Sequence, residues 1–234
     1  MEAKDVRSPI HPFKADLVEI AIGTYGIKSI VDVGGCFGVH GGYTFHALKN
    51  GVERAMILDG EITPDTVEQA RRYPNLTLKT MDLGNRDEIA ALPSFDAAII
   101  YDVLLHQVDP DWDEFLALYA AKVDTLIIYN QDFVGDETFR FVDRGLDWYL
   151  EQEFAKFYGK ESITNWFARH DQIHPQMGKK NRDIHGFWQW GIAYADIIRV
   201  AHEQGFRLDY FINEGSRFFG DTIDCHAYMF HRKN

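Results

Sequence analysis

The residues with the most chemical potential sit in VDVGGCFGVHGG, residues 31 to 42, where glycines crowd the turn between a β-branched run and a helical stretch from Tyr43 to Leu48. Glycines at a strand-to-helix turn let a ligand approach the main chain closely, with unpaired amides facing it. The amides near Gly34 to Gly38 are therefore expected to grip the polar tail of a nucleotide-like ligand. Asp59 ends the following β-branched run, at about the spacing where a Rossmann-type unit places the acid that binds ribose hydroxyls. Asp82 ends a third run and borders the same edge, although an aspartate there also serves to cap the next turn.

Bringing these groups to one edge calls for a mostly parallel sheet. From Gly26 to Phe133 the sequence alternates short apolar runs with helical stretches in that manner. The runs are IKSIVDV (27 to 33), AMILD (55 to 59), LTLKTMD (76 to 82), FDAAIIYDV (95 to 103) and VDTLIIYN (123 to 130). Thr63 before Pro64, and Asp109 before Pro110, place a capping oxygen and then a preset φ at two helix starts. Asn85 caps a short segment, 86 to 92, that Pro93 stops. A helix over 191 to 205 precedes FRLDYFI (206 to 212) and DCHAYMFHR (224 to 232), which are expected to pair as an antiparallel hairpin at one end of the sheet.

At this point the chain resembles the class I S-adenosylmethionine-dependent methyltransferases, whose first motif has an acid and spaced glycines after strand one. Here that motif is Asp32, Gly34 and Gly38, with Cys36 standing where the family often has its middle glycine and Gly35 beside it. The likeness continues in LDGEITPDTVEQARR (58 to 72), TMDLGN (80 to 85) and FDAAIIYDVLLHQVDP (95 to 110), and more loosely over 191 to 232. It implies S-adenosylmethionine as cofactor and an α/β Rossmann-like sheet of about seven strands, the last antiparallel, with helices on both faces. It further implies Asp59, beside Gly60, on the ribose hydroxyls, Asp82 with Met81 and Leu83 around the adenine, and Tyr101 and Asp102 near the methionine end. Phe37 belongs to the same glycine loop, and Asp32 supports the loop more than it touches ligand.

Residues 135 to 190 are not matched and differ in kind, being rich in aromatics and histidines without a strand-like run. Asp136 is expected to cap a long amphipathic helix reaching about Tyr158, where Gly159 ends it, and 168 to 183 read as a polar loop. Within a single domain over 1 to 234, this insertion follows the fifth run and is placed as a lid and acceptor pocket over the crevice. Phe139, Phe141, Trp148, Tyr149, Phe154 and Phe157 have helical spacing and read as the insertion's own core. Trp166, Trp188 and Trp190, with Phe167 and Phe187, lie off that stripe and are the acceptor-binding candidates. Methyl transfer is an in-line displacement governed by alignment. A proton acceptor is sought at His106, which leads out of the fourth run, and at His174 and His185 in the lid, with packing or solvated-loop roles as the plain alternatives. His170 and His174 stand i, i+4 apart, but Pro175 disfavours helix there and no third ligand has compelling spacing, so no metal site is assigned.

With 24 basic and 36 acidic residues, the 234-residue chain carries a net charge of −12. That charge repels phosphate backbones and anionic lipid, so a small-molecule acceptor is expected as partner, and neither nucleic acid nor membrane. No apolar run approaches the roughly 18 residues of a membrane span, and the segment to Phe13 has no signal-peptide core. The chain reads as cytoplasmic, with Cys36 and Cys225 as reduced thiols. Exposed tryptophans would suit a homo-oligomer contact as well as a pocket. Two rival readings stay open. Gly35, Gly38 and Gly41 satisfy a GxxGxxG spacing used by NAD(P)-dependent oxidoreductases, although the first pair lacks the GxG step. A non-catalytic protein that binds the same nucleoside ligand is the other.

Overall fold

The computed structural model describes residues 10–216 and 220–233. In chain order it builds α1 (Pro12–Tyr25), β1 (Ser29–Val33), α2 (Gly42–Lys49), β2 (Arg54–Asp59), α3 (Pro64–Ala70), β3 (Leu76–Thr80), α4 (Arg86–Ala90), β4 (Phe95–Tyr101), α5 (Trp112–Ala120) and β5 (Val123–Phe133). The insertion follows, with β6 (Phe139–Arg140), α6 (Leu146–Glu151), α7 (Lys160–Phe167) and β7 (Trp190–Gly191), and the chain ends in α8 (Tyr194–Glu203), β8 (Phe206–Asn213) and β9 (Ile223–Arg232).

Seven strands form one sheet in the order β3-β2-β1-β4-β5-β9-β8. The first five are parallel, and β9 enters antiparallel between β5 and β8. Every residue of β1 is buried, as a central strand covered on both faces must be. Leu17, Val18 and Ala21 of α1 and Ala47 of α2 close one face, while Phe115 and Leu116 of α5 and Ile197 and Val200 of α8 close the other. Parallel strands send all their outgoing turns to one edge, so the turns after β1, β2, β3 and β4 converge there.

Two of the expected caps form: Thr63 accepts from the Thr66 amide, and Asn85 from the Glu88 amide. The third is corrected. Asp109 has φ 54 and precedes a cis Pro110, outside the extended geometry of an N-cap, and α5 begins at Trp112 after Asp111. The long helix expected from Asp136 to Tyr158 is also corrected. Gly145 (φ 89, ψ 168) and extended Gln152 divide it into a 3-10 turn over 141–144, α6, and a second 3-10 turn over 153–157. Contrary to the expectation of no strand, β6 and β7 pair antiparallel across the insertion's two ends. Phe141, Tyr149, Phe154 and Trp188 form the centre of a third apolar cluster inside the insertion.

Candidate active site

A crevice of about 400 Å³ opens at the carboxyl edge between the turns after β1 and β4. Its floor explains two of the glycines. A Cβ on Gly34, where φ is 74, would stand 2.8 Å from the Val103 side chain, and one on Gly35 would stand 2.5 Å from an Asp32 carboxylate oxygen. The backbone can lie this close to both neighbours only without side chains. The amides are less free than expected: Gly34 donates to the Leu58 carbonyl at 2.8 Å and Cys36 to Asp59 at 2.9 Å. Those two N–H groups hold the loop to β2 and are not available to a ligand.

Asp59 is therefore anchored as well as exposed to the crevice, since Cys36 N and Glu61 N (3.1 Å) both donate to it. It lines this crevice and also an adjoining cavity of about 680 Å³ that runs over Gly60, Met81, Asp82 and Leu83. Asp82 borders this adjoining cavity and also accepts from Gly84 N at 3.0 Å in the turn. Met177, Lys179, Ile184 and His185 of the insertion form the far wall of that cavity.

At the other end of the crevice, Lys14 of α1 forms an ion pair with Asp102, whose second oxygen accepts from Gln131 at 3.1 Å. Burial pushes the Asp102 carboxyl up, and the Lys14 ammonium pulls it down. Lys14 also lies 4.3 Å from the Tyr129 ring centroid, and its carbonyl accepts from Tyr101 at 2.8 Å. Both members of this pair face the crevice.

Asp32 sits beneath the loop, only 2% exposed, and accepts from the Thr44 hydroxyl at 2.6 Å. Burial pushes its carboxyl up to about 7, against that hydrogen bond and aided by the negative charge of Asp59. Below the ordinary value of 3.8, folded and unfolded chains both hold the proton. Between there and about pH 7 only the folded chain does, so this group's stabilisation is lost as pH rises through that window. Asp32→Asn should remove the effect. In urea melts at pH 4.5 and 7.5, the variant's stability relative to wild type should rise by roughly 3–4 kcal/mol at the higher pH. An equal difference at both pH values would show that Asp32 ionises as an exposed carboxylate does.

A second cavity of about 470 Å³ opens between the glycine loop and the insertion. Phe37, His106 and Gln131 line both it and the crevice, so they mark the junction. His106 follows β4 in a 3-10 turn, and its ring centroid lies 6.3 Å from that of Trp188. Burial and the neighbouring His185 push its imidazole down to about 4, which keeps it neutral at pH 7. The insertion is tied to this turn by Gln189 N on the Leu105 carbonyl (3.1 Å) and by Trp190 Nε1 on the Gln107 carbonyl (2.7 Å).

No protein-family model matches the chain, and no curated protein matches its sequence. Solved structures do match in shape. The N-terminal domain of EvdMO1, in the presence of S-adenosylhomocysteine (SAH) and D-fucose, aligns with TM-score 0.63 over 100% of this chain and 90% of that one, at 12% identity. Magnesium protoporphyrin IX methyltransferase from Synechocystis PCC 6803 with bound SAH gives 0.58 over 95% and 84%, at 16% identity. Burkholderia thailandensis 1,6-didemethyltoxoflavin-N1-methyltransferase, with its named acceptor and SAH bound, gives 0.59 over 94% and 78%, at 12% identity. The chain shares its fold with these two methyltransferases and with the EvdMO1 domain.

On this shared fold several of the expected residues stand apart from the cavities just described. The Cys36 thiol is buried against Thr66 at 3.6 Å, and burial pushes it up to about 11. Gly38 serves the turn through its φ of 71. His174 takes part in a turn of the insertion, where its amide donates to the Lys179 carbonyl at 2.8 Å. Trp166 packs on Phe167 and Phe187, and Trp190 braces the turn after β4. Trp188 and His185 do line the second cavity, together with Phe154, Phe157 and Tyr158, the first two of which the helical spacing had assigned to a core. Lys14 was missed altogether. Pro12 at a helix start, apolar Leu17, Val18 and Ala21, and Gly26 at the end signal α1 in the sequence, but nothing local signals that Lys14 turns toward Asp102.

Proposed function

We propose that this chain is an S-adenosylmethionine-dependent methyltransferase acting on a small-molecule acceptor. The observation that carries the reading is the order of groups along one continuous hollow. An ion pair of opposite charges at Lys14 and Asp102 comes first, then the anchored Asp59 carboxylate, then the apolar Met81 and Leu83 beside Asp82. Amino acid, ribose and base of an S-adenosyl group require that order. Lys14 and Asp102 offer partners to an α-carboxylate and an α-ammonium, Asp59 accepts from ribose hydroxyls, and Met81 and Leu83 pack on a purine. Bound S-adenosylmethionine supplies an electrophilic methyl group on a sulfonium. The chain's own part is alignment at the junction of the two cavities, with His106 there to receive an acceptor proton.

The neighbours named for small acceptors support the same class of partner, as does the net charge of −12, which disfavours nucleic acid. The two cysteines are buried free thiols, which suits a reducing cytoplasm. Among the described residues no helix is long and apolar enough to cross a membrane. A nicotinamide enzyme is the less favoured reading, because its usual sheet order lacks an antiparallel strand between the fifth strand and the last.

Thermal denaturation with SAH, S-adenosylmethionine and NADH in parallel tests this. At a hundredfold excess over its dissociation constant, SAH should raise Tm by about 5–10 °C. A shift with NADH and none with SAH would overturn the assignment.

A further inference from the structure

We propose that the acceptor is an uncharged planar aromatic ring bearing a hydroxyl or N–H, held in the aromatic slot between the glycine loop and the insertion. This rests on the methyltransferase reading and deepens it.

The first observation is charge. None of the nine described residues lining the 470 Å³ cavity carries a carboxylate, ammonium or guanidinium. Its titratable groups are His106, His185 and Tyr158, and burial pushes the Tyr158 hydroxyl up, so it stays protonated. At pH 8, above the usual imidazole range near about 6.5, the wall is neutral. An ionic acceptor would leave water without a counter-charge, which is strongly unfavourable. For an anion, the chain's overall charge of −12 adds repulsion.

Shape is the second. Five of the nine lining residues are Phe37, Phe154, Phe157, Tyr158 and Trp188. Phe154 lies 4.8 Å from Trp188 between ring centroids and is itself stacked on Phe141 at 4.7 Å and 9°, so one wall is a backed, rigid set of rings. Phe37 and Phe157 come from separate parts of the chain, line the same cavity, and leave 93% and 72% of their surface in solvent. A flat ring laid against them covers that apolar surface and adds ring–ring attraction that a saturated ring of the same size lacks.

The third is the junction. His106 faces both cavities, so a protic group on the ring can reach the crevice while its proton points to imidazole. The new bond to the methyl carbon forms as the carbon–sulfur bond breaks and its pair stays on sulfur. The hydroxyl or N–H proton passes to the neutral His106 ring, and from there to solvent. His106 is a poor base for the free acceptor, but methylation makes that proton strongly acidic, so the transfer runs downhill once the methyl has moved.

The test is isothermal titration of the SAH-saturated protein at pH 8 with four probes on one two-ring frame: 2-naphthol, 2-naphthoate, 2-naphthylmethylammonium and decahydro-2-naphthol. The first should bind at least tenfold more tightly than either charged analogue and about fivefold more tightly than the saturated alcohol. Phe157→Ala should weaken 2-naphthol about tenfold and leave SAH affinity within twofold, because Phe157 lines the second cavity and not the crevice. SAH binding accompanied by equal or tighter binding of a charged or saturated probe overturns the acceptor class alone. Failure to bind SAH overturns the methyltransferase reading, and this inference with it.

Discussion

Replacing Asp59 by alanine should raise the dissociation constant for SAH about 100-fold, the largest single loss expected at this site. Two hydrogen bonds from ribose hydroxyls to an ionised carboxylate together contribute about 3 kcal/mol net, and a factor of ten corresponds to about 1.4 kcal/mol. The effect is sharpened because Asp59 does not have to be ordered on binding: Cys36 N and Glu61 N already hold its two oxygens. Asp59→Asn retains one acceptor and should lose about tenfold. Calorimetric titration of both variants with SAH checks this, alongside circular dichroism to confirm that the glycine loop's fold survives. An alanine variant that binds SAH within twofold of wild type would remove Asp59 from the ribose.

The second large effect is expected at Lys14, and it has a pH signature. Lys14→Met keeps most of the alkyl stem beside Tyr129 but leaves Asp102 without its cation in a site where burial already disfavours the charge. Removing one partner of such a pair destabilises by about 3 kcal/mol, here an upper figure because the Asp102 side chain is 31% exposed. With Lys14 gone, the Asp102 carboxyl moves further up, so acidification protonates it and relieves the defect. The variant's Tm should therefore fall by roughly 6–12 °C at pH 7.5 and by distinctly less at pH 5. Lys14→Met combined with Asp102→Asn should recover most of the loss. An equal deficit at both pH values would assign the effect to packing over Tyr129. SAH affinity should also fall about tenfold in Lys14→Met, as a carboxylate partner is removed from the crevice.

The contrast between Asp59 and Lys14 shows which information is local. Asp59 could be placed from the sequence because a parallel βαβ unit has a set length: strand, glycine turn, helix, strand. The same locality made the Thr63 and Asn85 caps legible, since each oxygen serves an amide three residues away. Lys14 meets Asp102 across 88 residues, and no periodicity encodes that. In the insertion, the aromatic spacing from Phe139 to Phe157 is genuine, but Gly145 and Gln152 leave the helical region and turn the stripe into two short turns and a short helix. Phe157 is thereby swung out of the core and onto the acceptor cavity.

By itself, then, the sequence determined the alternation of strands and helices, the glycine turn after the first strand and the acid at the end of the second, because these depend on propensity, capping and spacing over a few tens of residues. Only the tertiary structure decided which side chains share a hollow. It brought α1 against the turn after β4, and it put Trp188, Phe154 and Phe157 on the second cavity while leaving Trp166 packed on Phe167 and Phe187 and Trp190 bonded to the turn after β4. Those choices follow from how separate helices and turns fill the space above one edge of a sheet, a matter of three-dimensional volume and charge pairing that no local pattern records.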